Sequence, residues 1–510
     1  VMTGDQGAGP ARAVGRLLAR DFLPAGVGQR LADLVAGVRR RHGVLRLGFR
    51  VEDKLAGLPW ETLELPGSGQ PVALDPVVRA YCQVDAVPVV TSRGPLRIVV
   101  AISSPETGSA KVLNYEQELR NVISAVRAAR LNGADVEVIH FATTNAIAAV
   151  LKTAREHPVH VLHMSGHGRP GEFELEDDDG NARWVTADQF VDEAIPAGYM
   201  PPMIALAACH TDQATSAGDP SFAAGLLARG AGVVLAAETA ITDEYATRVF
   251  ARIYGELASS PEADVIAAVA TARQAVHREL QRSADARDQW LAGLDEWAVL
   301  RVLTSQPQVT LIDPAMPAGD NTPEAAGPRL LERGIGEVVG RRREQRYWPA
   351  RLLSGQVAGL VIYGIGGIGK TTLTDELVSR ILDRDPTTLV SVVRGECTGA
   401  SLVTAITSTL VRHIQQLQLQ QPTTDDRAVP AAARVAVALA GDPDQSLVDQ
   451  LGHIQIYLRT VDTRLIVVID NFEDNLTGGV DAPRQVSDYT LATVLATLAT
   501  EPGRCRLLIT

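Results

Sequence analysis

The stretch "VHVLHMSGHGRP", residues 159–170, decides how the N-terminal part of the chain folds. Val159, Val161, Leu162 and Met164 form an apolar run of strand length, which breaks at Ser165-Gly166-His167-Gly168. A short apolar run bounded by turn residues is the pattern of a strand buried on both faces. The imidazole of His167 is then presented at the rim of a sheet rather than packed inside it. Flanking glycines let the chain turn sharply there and let another group approach the backbone closely.

The neighbouring sequence repeats this pattern. "LRIVVAI" (96–102), "VEVIH" (136–140), "PMIALAA" (202–208) and residues 231–237 read as strands. "YEQELRNVISAVRAAR" (115–130) puts Leu119, Val122, Ile123 and Val126 on one helical face, and 144–156, 220–229 and 243–258 also read as helices. "EFELEDDDGNARWVT" reads as a hairpin turning at Asp179-Gly180, and Leu45, Leu47, Phe49 and Val51 alternate as an additional strand. Strands alternating with helices predict an α/β fold, an open and mostly parallel sheet with flanking helices.

In such sheets function gathers at the carboxyl ends of the strands. His167 and Cys209 each follow a strand of this kind, on two strands read as neighbours. A thiol is a good nucleophile as thiolate, and a nearby imidazole favours that form. The same imidazole can protonate a departing amine. The backbone N–H groups of Gly168 and Cys209 are the expected oxyanion donors. Each residue also has a plainer reading, His167 as a loop residue and Cys209 as a small buried hydrophobe. Zinc on His163, His167, Cys209 and His210 is disfavoured, because His163 and His167 are not on a helix and the spacing implies no shared coordination. His163 is expected to pack in the sheet. "DDDGN" lacks the glycine a calcium loop needs at its sixth position, here Ala182, so a solvated turn is preferred.

"HVLHMSGHG" followed by "MIALAACHT" resembles the paired His and Cys motifs of CHAT domains, caspase-like cysteine peptidases related to separases. "LPWETLEL" resembles an N-terminal motif of that family, and "SFAAGLLARGAGVVLAAETAITDEYATRVFARIYGELA" and "EWAVLRVLT" resemble its later segments. The resemblance implies that His167 and Cys209 form a catalytic dyad. Many members carry Leu-Trp where this chain has Glu238-Thr239, a departure in the pocket wall. Some caspase-like relatives place an acidic residue two before the cysteine to bind a basic side chain. Ala207 stands there, so no such preference follows.

Further on, "LVIYGIGGIGKTTLTDEL" (360–377) is a strand, a glycine loop and a helix. Its Gly364-x4-Gly369-Lys370-Thr371 fits the P-loop pattern, with Gly366, Gly367 and Thr372 in the same loop. Backbone N–H groups would wrap the phosphates at a helix N-terminus, Lys370 would reach the β and γ phosphates, and Thr371 would ligate Mg²⁺. "RLIVVIDNFEDN" (464–475) runs into Asp470, as in a Walker B strand that holds Mg²⁺. Glu473 is a less secure candidate for activating water. "VVGRRRE" (338–344) with these motifs resembles the nucleotide-binding module of STAND ATPases, the class of NB-ARC and NACHT switches. The resemblance implies ATP/ADP with Mg²⁺ as cofactors and places Val339, Gly340 and Arg341 by the adenine. "RLLIT" (506–510) lies near where such proteins carry sensor 1.

Composition sets the frame. The chain has 510 residues, net charge −12 and four cysteines without CxxC spacing. The acidic balance argues against general nucleic-acid binding, the cysteines point to a reducing, cytoplasmic setting, and no apolar run is long enough to span a membrane. Val1-Met2 and the strand-like last residues lead to the expectation that sequence is missing at the C-terminus. The expected organisation is an N-terminal helical extension (1–40), a CHAT domain (41–305), a proline-rich linker (306–330) and a STAND P-loop domain (331–510). The functional expectation is a cysteine endopeptidase acting on a protein or peptide substrate. Its ATP-binding switch regulates it, with self-oligomerisation on activation, as a prokaryotic signalling or defence effector. The alternative is an inactive scaffold whose P-loop ATPase controls assembly. A third option, a P-loop ATPase working on DNA or protein, is weakened by the charge and the dyad.

Overall fold

The computed structural model describes residues 10–108, 115–152, 158–215, 220–316, 340–419, 430–478 and 483–510. The chain divides into two compact units, Val1–Thr322 and Pro323–Thr510.

The first unit is built on eight strands: β1 (Leu45–Phe49), β2 (Val78–Gln83), β3 (Arg97–Ile102), β4 (Asp135–Ile139), β5 (Val161–Ser165), β9 (Met203–Ala207), β10 (Val233–Ala237) and β11 (Leu300–Thr304). A separate three-stranded hairpin sheet, β6 (Gly168–Arg169), β7 (Glu172–Glu176) and β8 (Ala182–Thr186), follows β5 directly. The large sheet has the order β1-β2-β11-β10-β9-β5-β3-β4. β10, β9, β5, β3 and β4 are mutually parallel. β11 runs antiparallel to β10 and carries β2 and β1 with it in its own direction. The central strands β5, β9 and β10 are almost wholly buried, as expected for apolar runs sandwiched between helices.

Two helices, Pro10–Phe22 and Ala25–Arg40, precede β1. The second contributes Val35 to a core with Trp60, Leu63, Val72 and Val78. Residues from 306 onward, read from sequence as the start of a linker, are instead part of this unit. Val309 and Leu311 are buried, Ser92 bridges to Ile312, and Asp264 bridges to Thr310. Alternating apolar residues dock there despite Pro307; the rest of the expected linker, from 317, lies outside the described residues.

The second unit has a parallel sheet of β12 (Gly359–Val361), β13 (Leu389–Arg394), β14 (Leu465–Asp470) and β17 (Cys505–Ile509), with a small ladder of β15 (Leu476–Thr477) and β16 (Gln485–Val486). Its order is β12-β17-β14-β13, so the last strand of the chain lies between the P-loop strand and the strand ending at Asp470. All six residues of β14 are buried. No helix among the described residues is long and apolar enough to cross a membrane.

Candidate active site and nucleotide site

β5 pairs with β9 so that Ser165 is opposite Ala207. His167 and Cys209 each stand two residues beyond that pair, past the carboxyl ends of adjacent strands. The chain bends at Gly166 as expected, and since neither glycine has a positive φ, what their missing side chains chiefly allow is close approach. A Cβ on Gly168 would overlap the Cys209 carbonyl oxygen and come within 2.9 Å of Thr211 Cγ2. One on Gly166 would stand 3.1 Å from Ser103 Cβ. Small residues here let the histidine segment lie directly against the cysteine turn.

The expected oxyanion donors have suitable surroundings. Glu174 N–H donates to the His167 carbonyl at 2.9 Å, and Gly168 is opposite Phe173. In an antiparallel ladder hydrogen-bonded and non-hydrogen-bonded pairs alternate, so the Gly168 N–H points away from β7. The Cys209 N–H has no acceptor among the described residues.

Cys209 differs from the other cysteines. It is partly exposed, whereas Cys82, Cys397 and Cys505 are buried. Burial raises the thiol pKa of Cys397 and pushes that of Cys505 up to about 12. Burial also holds that of Cys82 well above its usual value, with Glu61 adding to the effect.

The cysteine turn is firmly held. His210 takes a left-handed φ of 58°, and Gln213 N–H donates to its carbonyl at 3.2 Å. Thr211 Oγ1 donates to the Ala208 carbonyl at 3.3 Å and accepts from Ala237 N–H at 3.2 Å. Asp212 N–H donates to the Ala237 carbonyl at 3.1 Å. His163 is packed in the sheet: its Nδ1 lies 2.6 Å from Tyr254 Oη, and burial presses its pKa down to about 4. The "DDDGN" segment is a turn, with Gly180 N–H donating to the Asp177 carbonyl at 3.0 Å.

In the second unit, Gly364, Gly367 and Gly369 have positive φ, and the helix Lys370–Arg384 begins at the loop's end. Lys370 Nζ donates to the Gly364 carbonyl at 3.1 Å and lies 3.9 Å from Glu473. Thr371 Oγ1 donates to Asp470 Oδ1 at 2.8 Å, and Thr510 Oγ1 donates to the same oxygen at 2.5 Å. Gly340 is described, and Arg341 reaches the loop by donating to the Ile368 carbonyl at 3.0 Å. Thr372 lies in the first turn of the helix, and Val339 lies outside the described residues.

A model of the CHAT domain matches residues 12–356. The chain belongs to the CHAT domain family. The match begins within the first N-terminal helix, so most of that helix and all of the second fall inside it. An AAA ATPase domain model matches residues 337–509, placing an AAA-type ATPase domain after the CHAT region. Among solved structures, the Arg-specific cysteine proteinase gingipain R is similar at 13% identity and TM-score 0.34, over 49% of this chain and 58% of that one. A complex of Porphyromonas gingivalis RgpB pro- and mature domains is similar at 11% identity and TM-score 0.28, over 42% of this chain and 48% of that one. This CHAT chain thus spans about half the length of either structure. No curated protein matches it.

Around the cysteine turn the CHAT unit holds residues that sequence reading passed over. Arg301, on β11, donates through Nη1 to Asp212 at 2.8 Å and to Glu238 at 3.2 Å. Its Nη2 and Nε donate to Cys82 Sγ at 3.0 and 3.3 Å, and Cys82 Sγ donates to Glu61 at 3.4 Å. An arginine inside the apolar run "AVLRVLT" and a glutamate inside "LPWETLEL" were the available signal, since buried charges need partners.

Proposed function

We propose that this chain is a cysteine endopeptidase in which Cys209 is the nucleophile and His167 the general base. The supporting observations are the β5–β9 register, which lays side by side the two strands that end just before His167 and Cys209, the close approach of Gly168 to the Cys209 carbonyl, and the partial exposure of Cys209. His167 takes the thiol proton, and the Cys209 sulfur attacks the scissile carbonyl carbon. The resulting oxyanion faces the N–H groups of Gly168 and Cys209. His167 then gives the proton to the leaving amine, and water attacks the thioester to release the acid and restore the thiol. The substrate is a protein or peptide.

The second unit fits a nucleotide with Mg²⁺. Thr371 and Asp470 bring hard oxygen donors within 2.8 Å of one another. No heavy atom lies within 4 Å of where a Cβ would stand on Gly366 or Gly367, so the loop backbone is open. ATP and Mg²⁺, when bound, would supply the γ-phosphate and charge that separate two states. Lys370 would then leave the Gly364 carbonyl to meet the phosphates, and Gly340 and Arg341 would border the base. We read this unit as a STAND-type switch that gates the peptidase in a cytoplasmic signalling or defence effector, with self-oligomerisation on activation.

The test is cleavage of a fluorogenic peptide-amide pool by the chain with ATP, with ADP and with neither, beside Cys209→Ala. Cleavage that depends on both nucleotide and Cys209 is expected. Cleavage equal in Cys209→Ala would end the peptidase assignment. Equal rates in all three nucleotide states, with binding confirmed, would show the units to be energetically independent. No cleavage in any state would favour a scaffold.

A further inference from the structure

Four charged side chains and a thiol meet at the foot of the cysteine turn. Arg301, Asp212 and Glu61 are 4%, 6% and 1% exposed and Glu238 14%, so the cluster is buried and meets solvent only at Glu238. One guanidinium faces three carboxylates. Each carboxylate comes from a different element: Glu61 from the "LPWETLEL" turn, Asp212 from three residues beyond Cys209, and Glu238 from the residue after β10. Cys82 is on β2. Burial works against the charge on Arg301, but Cys82 and the three carboxylates together hold its pKa well above the usual value.

Besides its internal bonds, the cysteine turn is held to Ala237 at the end of β10, to the helix Phe222–Ala228 by Ala223 N–H donating to the Thr211 carbonyl at 3.0 Å, and to Gly171, whose N–H donates to the Gln213 carbonyl at 3.2 Å. Among the described residues, Asp212 is the side chain of the turn that ties it to β11, through Arg301. Its other oxygen, Oδ1, accepts from Ser221 Oγ at 3.2 Å, and Ser221 in turn caps the helix Phe222–Ala228. Asp212 therefore fixes the turn against both the sheet and the next helix. Breaking one side of a buried ion pair leaves an uncompensated charge, which moves the backbone that carries it. A displacement of about 1 Å at a reacting group costs on the order of 100-fold in rate.

We propose, on the basis of the peptidase assignment above, that Arg301 is the positioning residue for Cys209, acting through Asp212, and that Glu238 competes with Asp212 for the same guanidinium nitrogen. Both carboxylates are on Nη1, at 2.8 and 3.2 Å. The charged groups facing Glu238 are Arg301, Asp212 and Glu61. Burial first, and then the charges of Asp212 and Glu61, push Glu238 up to about 7 against the pull of Arg301. Below that value a neutral Glu238 leaves Arg301 to Asp212. Above it, an ionised Glu238 draws Nη1 away and loosens the turn.

The experiment measures kcat and KM on the best-cleaved member of the peptide-amide pool. Rates are normalised to Cys209 titrated with iodoacetamide, so that misfolded protein does not count. Arg301→Met and Asp212→Asn are expected to lower kcat by about 100-fold with KM changed less than about threefold. The double variant should be no slower than Arg301→Met, because either change removes the same contact. Arg301→Lys should recover part of the loss, since an ammonium can still pair with Asp212. If Arg301→Met does not fold, Arg301→Lys and Asp212→Asn carry the test. The ratio of kcat for Glu238→Gln to that of the wild type should rise as pH passes about 7. Cleavage by the wild type together with an unchanged kcat in Arg301→Met, or in both Arg301→Lys and Asp212→Asn, would overturn the positioning role. A ratio constant from pH 6 to 8.5 would overturn the competition alone. A wild type no more active than Cys209→Ala would bring down the peptidase assignment and this inference together.

Discussion

The two sites of this chain are built in opposite ways. Around Cys209 the turn is closely packed: Thr211 and Asp212 are buried and hydrogen-bonded, and the Gly168 backbone lies against the Cys209 carbonyl with no room for a methyl group. Around the P-loop the backbone is open, with Tyr363 90% and Ile365 77% exposed. Lys370 rests on the Gly364 carbonyl of its own loop. A site whose chemistry is done by its own side chains can be assembled in advance by packing. A site that must close around an anion keeps its donors facing outward, and its order depends on the ligand. The peptidase site should therefore be sensitive to burial and pH, and the nucleotide site to ligand.

The largest expected contrast is in pH. His160 and His163 are both pressed down to about 4 by burial. The unfolded chain binds their protons between about 4 and 6.5 while the folded chain does not, so stability is lost as pH falls through that window. Glu238 has the opposite sign. Its folded value of about 7 stands above the ordinary 4.5, so the folded chain holds the extra proton and stability falls as pH rises between them. Each shift corresponds to about 3 kcal/mol as an order of magnitude. Urea midpoints should therefore climb more steeply between pH 5 and 7 in Glu238→Gln than in the wild type. Superimposable curves would show that Glu238 is not buried in its charged form.

Ligand should act on the other unit. At a nucleotide concentration about 100 times Kd, binding to the folded state adds about 2.7 kcal/mol. Thermal unfolding of the wild type should shift upward with Mg–ATP, and that of Lys370→Ala should not. An equal shift in Lys370→Ala would place the nucleotide elsewhere.

Glycine substitution gives the smallest and most local contrast. Gly168→Ala forces a Cβ into the Cys209 carbonyl and should cost about 1–3 kcal/mol in stability. Any loss of turnover then combines a displaced nucleophile turn with a disturbed oxyanion donor. Gly366→Ala meets no neighbour and should change stability by less than about 0.5 kcal/mol while weakening nucleotide binding. Similar stability losses in both would remove the distinction between packed and open loops.

The strands around His167 and Cys209 were legible because buried parallel strands are apolar from end to end, and because punctuation by glycine or cysteine marks where they stop. The same held for the P-loop and Asp470. Residues 306–316 misled, because prolines on an edge segment look like a linker until Val309 and Leu311 find a surface to cover. The glycines flanking His167 stand out in the sequence, but their purpose depends on backbone far away in the chain, Cys209 for Gly168 and Ser103 for Gly166, which no local pattern reports. The Arg301 cluster was missed for the same reason. Glu61, Cys82, Asp212, Glu238 and Arg301 come from five separate segments, and only the sheet order brings them together.

The most direct test is to find where a thiol-reactive peptide attaches. The chain is treated with a peptidyl acyloxymethyl ketone, and the labelled residue and its rate of labelling are read by mass spectrometry in the wild type and His167→Ala. Label on Cys209 is expected, slowed by at least about 100-fold when His167 is removed, the scale of general-base assistance. Label on Cys82, Cys397 or Cys505 instead, or labelling of Cys209 at the same rate without His167, would contradict a His167–Cys209 dyad.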